Sequence, residues 1–319
     1  MGVSRKVKEE MGICFWVERF VSLLLARGLK TIRRRYPTIL VYHDVIASPD
    51  KMRIEHDSVL LEDFERQMKF LRENSFKPLP LQKAISLIES GEEIPEKSVI
   101  ITFDDGYKST STVATPILKK YEIPATVFVV TGFIGQEKGY PWLKPDGANP
   151  WLCGSVPANR EEIIRLHQEG FEIGAHTVNH RFLPLLTNQE LEEEILGSRH
   201  TLQQILGRPP LSFALPFSFP MKHRKWPSFQ RSLTSILIKG NFNSCCTMTR
   251  GHISANSNPL FLQRIAVGKF DDLQLFRAKL RGGYAWSRIP QNLFRVLFKK
   301  YYQPHSQVVN RREETYTGI

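Results

Sequence analysis

Two pairs of side chains in this sequence have the types and the spacing that could bind a metal ion. Asp104 and Asp105 are adjacent, and neighbouring carboxylates both stay ionised in a buried site only if a cation or hydrogen bonds compensate them. His176 and His180 form a His-x-x-x-His pattern, which brings both imidazoles together if the chain turns helically. Taken separately, each pair also fits an ordinary alternative, a solvated Asp-Asp-Gly turn or a chance spacing of histidines. Together they predict a metal site, because two imidazoles need a further ligand.

The hydrophobic pattern predicts the elements that must position these residues. Short β-branched runs alternate with amphipathic helices, as in repeated βα units. The predicted strands cover residues 38–42, 98–103, 125–130, 171–176, 211–215, 243–248 and 262–267. The predicted helices cover residues 61–74, 81–88, 112–121, 160–169 and 188–206. Since the carboxyl ends of parallel strands in a βα barrel meet on one face, the acids and the histidines are predicted to share one site.

Two motifs around these residues resemble the signatures of a known family. Residues 101–107, Ile-Thr-Phe-Asp-Asp-Gly-Tyr, resemble the first signature of the polysaccharide deacetylases, also called the NodB-homology family or carbohydrate esterase family four. Residues 173–180, Ile-Gly-Ala-His-Thr-Val-Asn-His, resemble the second. The similarity extends roughly from residue 40 to residue 267. It implies an α/β fold, a distorted (β/α) barrel of about seven parallel strands.

The resemblance also implies a metal-dependent reaction. Asp105, His176 and His180 would bind a divalent ion, usually zinc, with cobalt, nickel and manganese as alternatives, and Asp104 would be the catalytic base. A bound metal lowers the pKa of a water molecule and polarises an acetyl carbonyl, while a neighbouring carboxylate takes the proton. The products of such a reaction are acetate and a free amine.

The third signature of the family is only partly present. Residues 213–218 resemble its Phe-Arg-x-Pro-Tyr-Gly segment, but Ala214 stands where many members carry arginine. If the alignment holds, the backbone N–H of Phe217 would stabilise the oxyanion of the reaction. We expect Arg264 to orient Asp104 in place of the missing arginine, with an outward-facing structural arginine as the alternative.

The general acid of the family cannot be carried over, because its later signatures are not recognisable. His252, in the loop 250–259, is a candidate for this role, with an ordinary surface histidine as the alternative. His43, at the end of the first predicted strand, either lines the site or is a hydrogen-bonded core histidine. The long loop 132–159 carries Trp142 and Trp151 and either covers the site or is an insertion without a role in it.

The composition limits the class of protein. The chain has 319 residues and 41% hydrophobic content, which suffices for a sizeable core and excludes global disorder. Lys and Arg number 44 against 32 Asp and Glu, a formal charge of +12, with much of the excess in residues 30–35 and 288–312. Basic and stacking aromatic residues are not interleaved, which argues against a nucleic-acid partner. The four cysteines show no Cys-x-x-Cys spacing, and this usage fits a reducing compartment.

Both ends of the chain carry basic amphipathic segments, residues 15–27 and 289–302. Such segments either bind a membrane surface or pack on the exterior of a barrel with solvated Lys and Arg. The predicted organisation is a basic N-terminal segment (1–37), a barrel domain (38–285) and a basic C-terminal helix and tail (286–319). We expect no cleaved leader and no membrane span, and a cytoplasmic location, peripheral at the inner face of the membrane.

The sequence therefore predicts a bacterial-type hydrolase of exopolysaccharide biosynthesis. It would remove N-acetyl groups from an amino sugar in a polysaccharide, an oligosaccharide or a lipid-linked glycan precursor. The first alternative is a related metal-dependent amide or imide hydrolase with a small substrate. The second is a catalytically weakened carbohydrate-binding protein on the same barrel, against which Asp104 argues, because binding alone needs no second acid. The expected partner is an acetylated carbohydrate, and no protein partner is indicated.

Overall fold

The parallel strands close into a barrel in a computed structural model that describes residues 13–28, 37–47, 58–137, 139–141, 155–217, 226–284 and 286. The described strands are β1 (Thr38–Tyr42), β2 (Val45–Ile46), β3 (Val59–Leu60), β4 (Lys77–Pro78), β5 (Ser98–Phe103), β6 (Ala125–Val129), β7 (Glu172–Ala175), β8 (Ser212–Ala214), β9 (Ser244–Arg250) and β10 (Leu262–Ala266). The barrel runs in the order β1, β10, β9, β8, β7, β6, β5, and β1 also pairs with β5, which closes it. The predicted barrel of about seven parallel strands is confirmed.

Eight helices are described around this barrel. They are α1 (Ile13–Gly28), α2 (Leu61–Glu73), α3 (Leu81–Glu89), α4 (Thr115–Lys120), α5 (Arg160–Gln168), α6 (Asn188–Leu206), α7 (Trp226–Lys239) and α8 (Leu273–Leu280). Residues 112–120 of the predicted helix 112–121 are helical, but the first part belongs to a π-helical turn, Thr110–Ala114, that leads into α4. Helices α7 and α8 were not predicted from the sequence.

The strands are buried on both faces, which explains their apolar sequences. Every residue of β1 and β5 is buried. One buried cluster joins α3 to a side chain from each of six barrel strands, Ile39, Ile100, Phe128, Ala214, Cys246 and Leu262. Gln82 of α3 donates to Glu172 Oε1 (2.8 Å) and Ser212 Oγ (2.7 Å), the first residues of β7 and β8. Helix α3 therefore closes the barrel at the amino ends of its strands.

The bounds of α6 follow from its capping residues. Thr187 accepts a hydrogen bond from the backbone N–H of Glu190, and the Glu190 carboxylate accepts one from the N–H of Thr187. This capping box satisfies two donors that the first turn leaves without helical partners. Gly207 ends the helix in the left-handed conformation at φ 74°. Both signals can be read in the sequence, and the predicted and observed helices agree.

Helix α1 packs on the barrel exterior through one face. Arg19 donates two hydrogen bonds to the Asp272 carboxylate (3.2 and 2.7 Å), and Trp286 Nε1 donates to Ser22 Oγ (3.0 Å). The opposite face exposes Val17, Phe20 and Leu24, which are 54%, 67% and 56% accessible. Among the described residues, no helix combines the length and the apolar character needed to cross a bilayer. The C-terminal segment 289–302 lies outside the described residues.

Gly174, in strand β7, leaves no room for a larger side chain. A Cβ added at Gly174 of β7 would lie 2.5 Å from two ring carbons of Phe128, which is fully buried. We expect Gly174→Ala to lower the free energy of unfolding by about 1–3 kcal/mol, because the ring must move in a close-packed core. Urea denaturation of the metal-free protein measures the change.

The cause of this loss can be tested with a second substitution. Phe128→Leu removes the ring that the added methyl group would meet, so the double variant should lose less than the sum of the single variants. Additive losses of unfolding free energy would show that contacts other than the one with Phe128 exclude a larger side chain at position 174.

Candidate active site and metal centre

The two acids follow β5 on a tight turn of the backbone. The N–H of Asp104 donates to Tyr42 O (2.9 Å), which continues the pairing with β1. Asp105 and Gly106 then both adopt positive φ, 71° and 77°. A non-glycine residue in this region is strained, and such strain is concentrated at functional sites. The hydroxyl of Tyr140 donates to Asp105 O (2.6 Å) and so helps to hold the turn.

The two histidines are brought together by a strained loop and not by a helical turn. His176 follows β7, and its N–H donates to Val129 O (3.0 Å). Thr177 and His180 adopt φ 71° and 54°, and the N–H of His180 donates to Thr177 Oγ1 (2.9 Å). The expectation that a helical turn positions the pair was therefore wrong, because left-handed residues at both ends of the loop fold it back.

Asp105, His176 and His180 converge on one point. Asp105 Oδ1 lies 3.4 Å from the Nε2 atom of each histidine, and the three potential ligand atoms lie within 4.8 Å of one another. All three side chains are at most 8% exposed. One carboxylate and two imidazoles are donors that suit zinc and related divalent ions.

The hydrogen bond of His176 fixes the tautomer that a metal ligand needs. Its Nδ1 lies 2.8 Å from Ala214 O, and a carbonyl oxygen only accepts, so Nδ1 carries the proton. In the neutral ring, Nε2 then presents its lone pair towards Asp105. A backbone carbonyl behind the ring is a common partner of metal-binding histidines, because it fixes both the ring orientation and the tautomer.

Burial and charge set the protonation of the cluster. Burial by itself raises the pKa of Asp105, but the neighbouring imidazoles of His176, His180 and His43 hold it well below its usual range. Burial lowers the pKa of His180 to about 4, although Asp105 opposes this shift. Asp105 is thus ionised and His180 neutral near pH 7, which is the state required for binding a metal. The pKa of His176 is raised, since the charges of Asp104 and Asp105 outweigh burial.

Asp104 is held by a buried bidentate ion pair with Arg264. The two terminal nitrogens of Arg264 donate to Oδ1 and Oδ2 of Asp104, both at 2.7 Å. Arg264 also donates to Thr247 O (3.1 Å) and Thr102 Oγ1 (3.2 Å), and it lies inside the barrel, 1% exposed. Burial raises the pKa of Asp104, but the guanidinium brings it below its ordinary value. Asp104 Oδ2 lies 4.0 Å from His176 Nε2, so an ionised carboxylate stands beside the ligand cluster.

Phe217 reaches the site from the loop after β8. Its φ is 58°, and its ring centroid lies 4.6 Å from that of His180. The structure therefore brings the partly matching third signature next to the second ligand loop. Ser218, the last residue of that signature, lies outside the described residues.

His252 is not brought to the ligand cluster. Its Nδ1 lies 2.8 Å from the hydroxyl of Thr38, the first residue of β1, and the N–H of Ile253 donates to Pro37 O (3.1 Å). The carboxyl end of β1, where Tyr42 contacts Asp104, is about 13 Å away along the strand. Burial lowers the pKa of His252 to about 4. His252 thus lies at the amino end of the barrel, opposite the acids.

His43 and the ends of the long loop surround the cluster. His43 follows β1, is half-buried, and is close enough for its charge to act on Asp105. Tyr140 binds Asp105 at one end of the loop, and the N–H of Ala158 donates to Gly106 O (2.9 Å) at the other. Trp142 and Trp151 lie outside the described residues.

Two buried carboxylates were given no role from the sequence. Asp44, 1% exposed, accepts hydrogen bonds from Ser109 Oγ (2.5 Å) and from Ser155 Oγ. Glu194 of α6 accepts hydrogen bonds from two backbone N–H groups of the loop 177–180. The helical spacing of the sequence could have identified Glu194, because this residue falls on the buried face of α6 with Leu191 and Ile195.

The family comparison agrees with this site. Residues 91–226 match the family model described as polysaccharide deacetylase. The chain is 30% identical over 188 residues, 59% of each protein, to the polysaccharide deacetylase candidate YxkH of Bacillus subtilis. It is 42% identical over 84 residues to the poly-beta-1,6-N-acetyl-D-glucosamine N-deacetylase of Staphylococcus aureus, 26% of this chain and 29% of that protein. The chain thus spans about three fifths of the first of these relatives and under a third of the second.

Solved structures share the fold. The deacetylase PplD of Streptococcus pyogenes superposes with a TM-score of 0.62 at 22% identity, over 77% of this chain and 99% of that one. IcaB from Ammonifex degensii gives a TM-score of 0.62 at 23% identity, over 78% and 98%. At these identities the similarity demonstrates a common barrel.

The buried pair of Arg264 and Asp104 generates a stability prediction. Arg264→Met should lower the free energy of unfolding by about 3–5 kcal/mol, because it leaves the buried Asp104 carboxylate without its partner. Arg66→Met is the control, since Arg66 pairs with Asp63 at the surface with 60% of its side chain exposed; its effect should stay below about 1 kcal/mol.

Urea denaturation at pH 7 compares both variants with the wild type. Adding Asp104→Asn to Arg264→Met should recover part of the loss, because the buried charge is then gone. Equal losses for Arg264→Met and Arg66→Met would contradict the assignment of a stabilising role to the buried pair.

Proposed function

We propose that this chain, whose residues 91–226 match the family model described as polysaccharide deacetylase, is a metal-dependent hydrolase that removes N-acetyl groups from an amino sugar. The observation that carries this proposal is the convergence of Asp105, His176 and His180 beside Asp104, itself paired with Arg264. The substrate class is an N-acetylated polysaccharide, oligosaccharide or lipid-linked glycan precursor. The named substrate of the Staphylococcus aureus relative supports an N-acetylglucosamine unit.

Asp105, His176 and His180 would hold the divalent ion, for which zinc is the first candidate. The ion would lower the pKa of a water molecule and polarise the acetyl carbonyl. Cobalt, nickel and manganese are compatible with the same donors. The fixed tautomer of His176 and the ionised state of Asp105 prepare these side chains for binding before any ion arrives.

Asp104 would act as the general base. Its carboxylate takes the proton of the attacking water, and the guanidinium of Arg264 keeps it ionised and fixes its plane. Because Arg264 makes four hydrogen bonds to Asp104, Thr102 and Thr247, it cannot easily turn away. The N–H of Phe217 would donate to the acetyl oxygen as negative charge develops there. His252 has no part in this proposal.

Removal of one ligand and of the base should have different effects. His176→Ala should lose both the bound ion and acetate release, because only two ligands remain. Asp104→Asn should keep the ion and lose at least about 100-fold in turnover, since the amide cannot accept the proton. Metal analysis and an enzymatic acetate assay measure the two properties. His200→Ala, an exposed position on α6, is the control and should retain both.

The substrate panel separates the proposed reaction from its alternatives. It comprises N-acetylglucosamine oligomers of different linkage, lipid-linked N-acetylglucosamine, peptidoglycan fragments, acetylated xylan and small cyclic imides, each with and without added zinc. Release of acetate from an N-acetylated glycan supports the proposal. Turnover of the imides alone would indicate the small-substrate hydrolase, and binding without turnover the carbohydrate-binding protein. Undiminished turnover by Asp104→Asn would remove that residue from the mechanism.

We also propose a cytoplasmic location at the inner face of the membrane, with α1 as the docking element. Its exposed residues Val17, Phe20 and Leu24 form a stripe at helical spacing, while the opposite face is fixed to the barrel by Arg19. Residues 20–42 contain no Asp or Glu and five Lys or Arg residues. Apolar side chains beside basic sequence suit the surface of an anionic bilayer.

Vesicle flotation tests this docking proposal. Phe20→Glu combined with Leu24→Glu should weaken binding to vesicles containing anionic phosphatidylglycerol by at least about 10-fold, because two apolar anchors are lost and two negative charges gained. Ile238→Glu is the control, since Ile238 is also exposed but lies on α7. Equal binding by the wild type and the double variant, or no binding at all, would overturn the proposal.

A further inference from the structure

A buried carboxylate outside the ligand set holds the loop between the two histidines. Glu194 lies on α6 and is 3% exposed. Its Oε2 accepts hydrogen bonds from the N–H groups of Val178 (3.0 Å) and Asn179 (2.8 Å), and its Oε1 accepts one from Asn179 Nδ2 (3.0 Å). Three donors thus surround the carboxylate. Two successive backbone N–H groups that converge on one oxygen form a concave site that favours an anion.

The loop is held from the opposite side as well. The N–H of Thr131 donates to Thr177 O (3.1 Å), and the N–H of Gly132 donates to Val178 O (2.8 Å). A Cβ at Gly132 would lie 2.6 Å from that carbonyl oxygen, so the close approach depends on glycine. The loop therefore lies between α6 and the turn after β6, and it contacts both through its backbone.

This double attachment matters because the loop is strained. Thr177 and His180 both have positive φ, a conformation that persists only where the surrounding contacts enforce it. Glu194 binds the two residues between them. Helix α6 provides a firm support for this carboxylate, since it is 19 residues long and begins with a capping box.

We infer that Glu194 is a positioning residue that holds His180 at the distance from Asp105 and His176 that a divalent ion requires. It acts through the backbone of the loop 177–180 and is not itself a ligand. This inference rests on the proposed function, and it adds a residue that sets the metal affinity of the site. A carboxylate suits the role because its charge strengthens the hydrogen bonds from both backbone N–H groups.

Glu194→Gln is the first test, because it preserves the size of the side chain and removes its charge. We expect the dissociation constant for zinc to rise by about 10-fold or more, the usual effect of losing a partner that orients a metal-binding group. Titration of the metal-free protein against a chromogenic chelator measures it. The d–d absorption of the cobalt-loaded variant should shift, because the position of His180 relaxes. Glu193→Gln is the matched control, since the neighbouring Glu193 is exposed, and it should leave both unchanged.

A general loss of stability gives a different result. The melting temperature of the metal-free protein is measured in parallel, and a purely structural role would lower it without changing zinc affinity or the cobalt spectrum. Asn179→Ala removes only the side-chain donor to Glu194 and should weaken zinc binding less than Glu194→Gln does. If Glu194→Gln does not fold, Asn179→Ala decides: weaker zinc binding supports the positioning role, and unchanged binding overturns it.

The outcomes separate this inference from the proposed function. If the wild type and Glu193→Gln bind zinc and Glu194→Gln binds it equally well, only the positioning role is overturned. If the wild type binds no divalent ion, the proposed metal-dependent reaction fails first, and the role of Glu194 fails with it. Weaker zinc binding by Glu194→Gln, with turnover recovered at saturating zinc, supports both the positioning role of Glu194 and the proposed metal-dependent reaction.

Discussion

Two neighbouring carboxylates buried at one end of a barrel impose the constraint on which the rest of this site depends. Taking both Asp104 and Asp105 out of water is costly unless each finds its own compensating charge. The left-handed turn at Asp105 separates the two side chains, so that Asp104 meets Arg264 and Asp105 meets the histidines. The inward-pointing arginine on β10 and the strained backbone after β5 thus both serve to compensate the charges of the two buried carboxylates.

Backbone strain is concentrated where the chemistry would occur. Asp105, Thr177, His180 and Phe217 all have positive φ and lie in the loops that follow β5, β7 and β8. Such residues stay in place only because the strands and hydrogen bonds around them are rigid. The barrel therefore does more than bring distant residues together, since it also maintains loop conformations that the isolated segments would not adopt.

The sequence predicted most of the barrel because its signals are local. The strand 98–103, a continuous apolar run, and the helix 188–206 were predicted with their observed bounds. The two-residue strands β2, β3 and β4 are too short to show a pattern. Helix α8 did offer a signal, since Asp272 caps it by accepting a hydrogen bond from the N–H of Leu275.

The site residues that directly follow strands were predicted, whereas the positions of residues that depend on the path of a loop were not. Asp105 and His176 follow β5 and β7, so barrel topology alone brings them together. His252 lies in a loop that returns to the amino end of the barrel, and no residue pattern reveals that direction. Glu194 has the same residue type as the exposed glutamates of its helix, and only its position on the buried face distinguishes it. The pairing of β10 with β9 shifts register between Leu262 and Arg264, which is a property of the assembled sheet.

In the described part of the chain, helix α3 covers the amino end of the barrel, and the loops that carry Asp105, His176 and His180 lie at the opposite end. Gln82 and the apolar cluster beside it pack together at the amino end of the barrel. In the proposed reaction, the acetyl group and the attacking water would therefore meet at the carboxyl ends of the strands, on the side of the barrel away from α3.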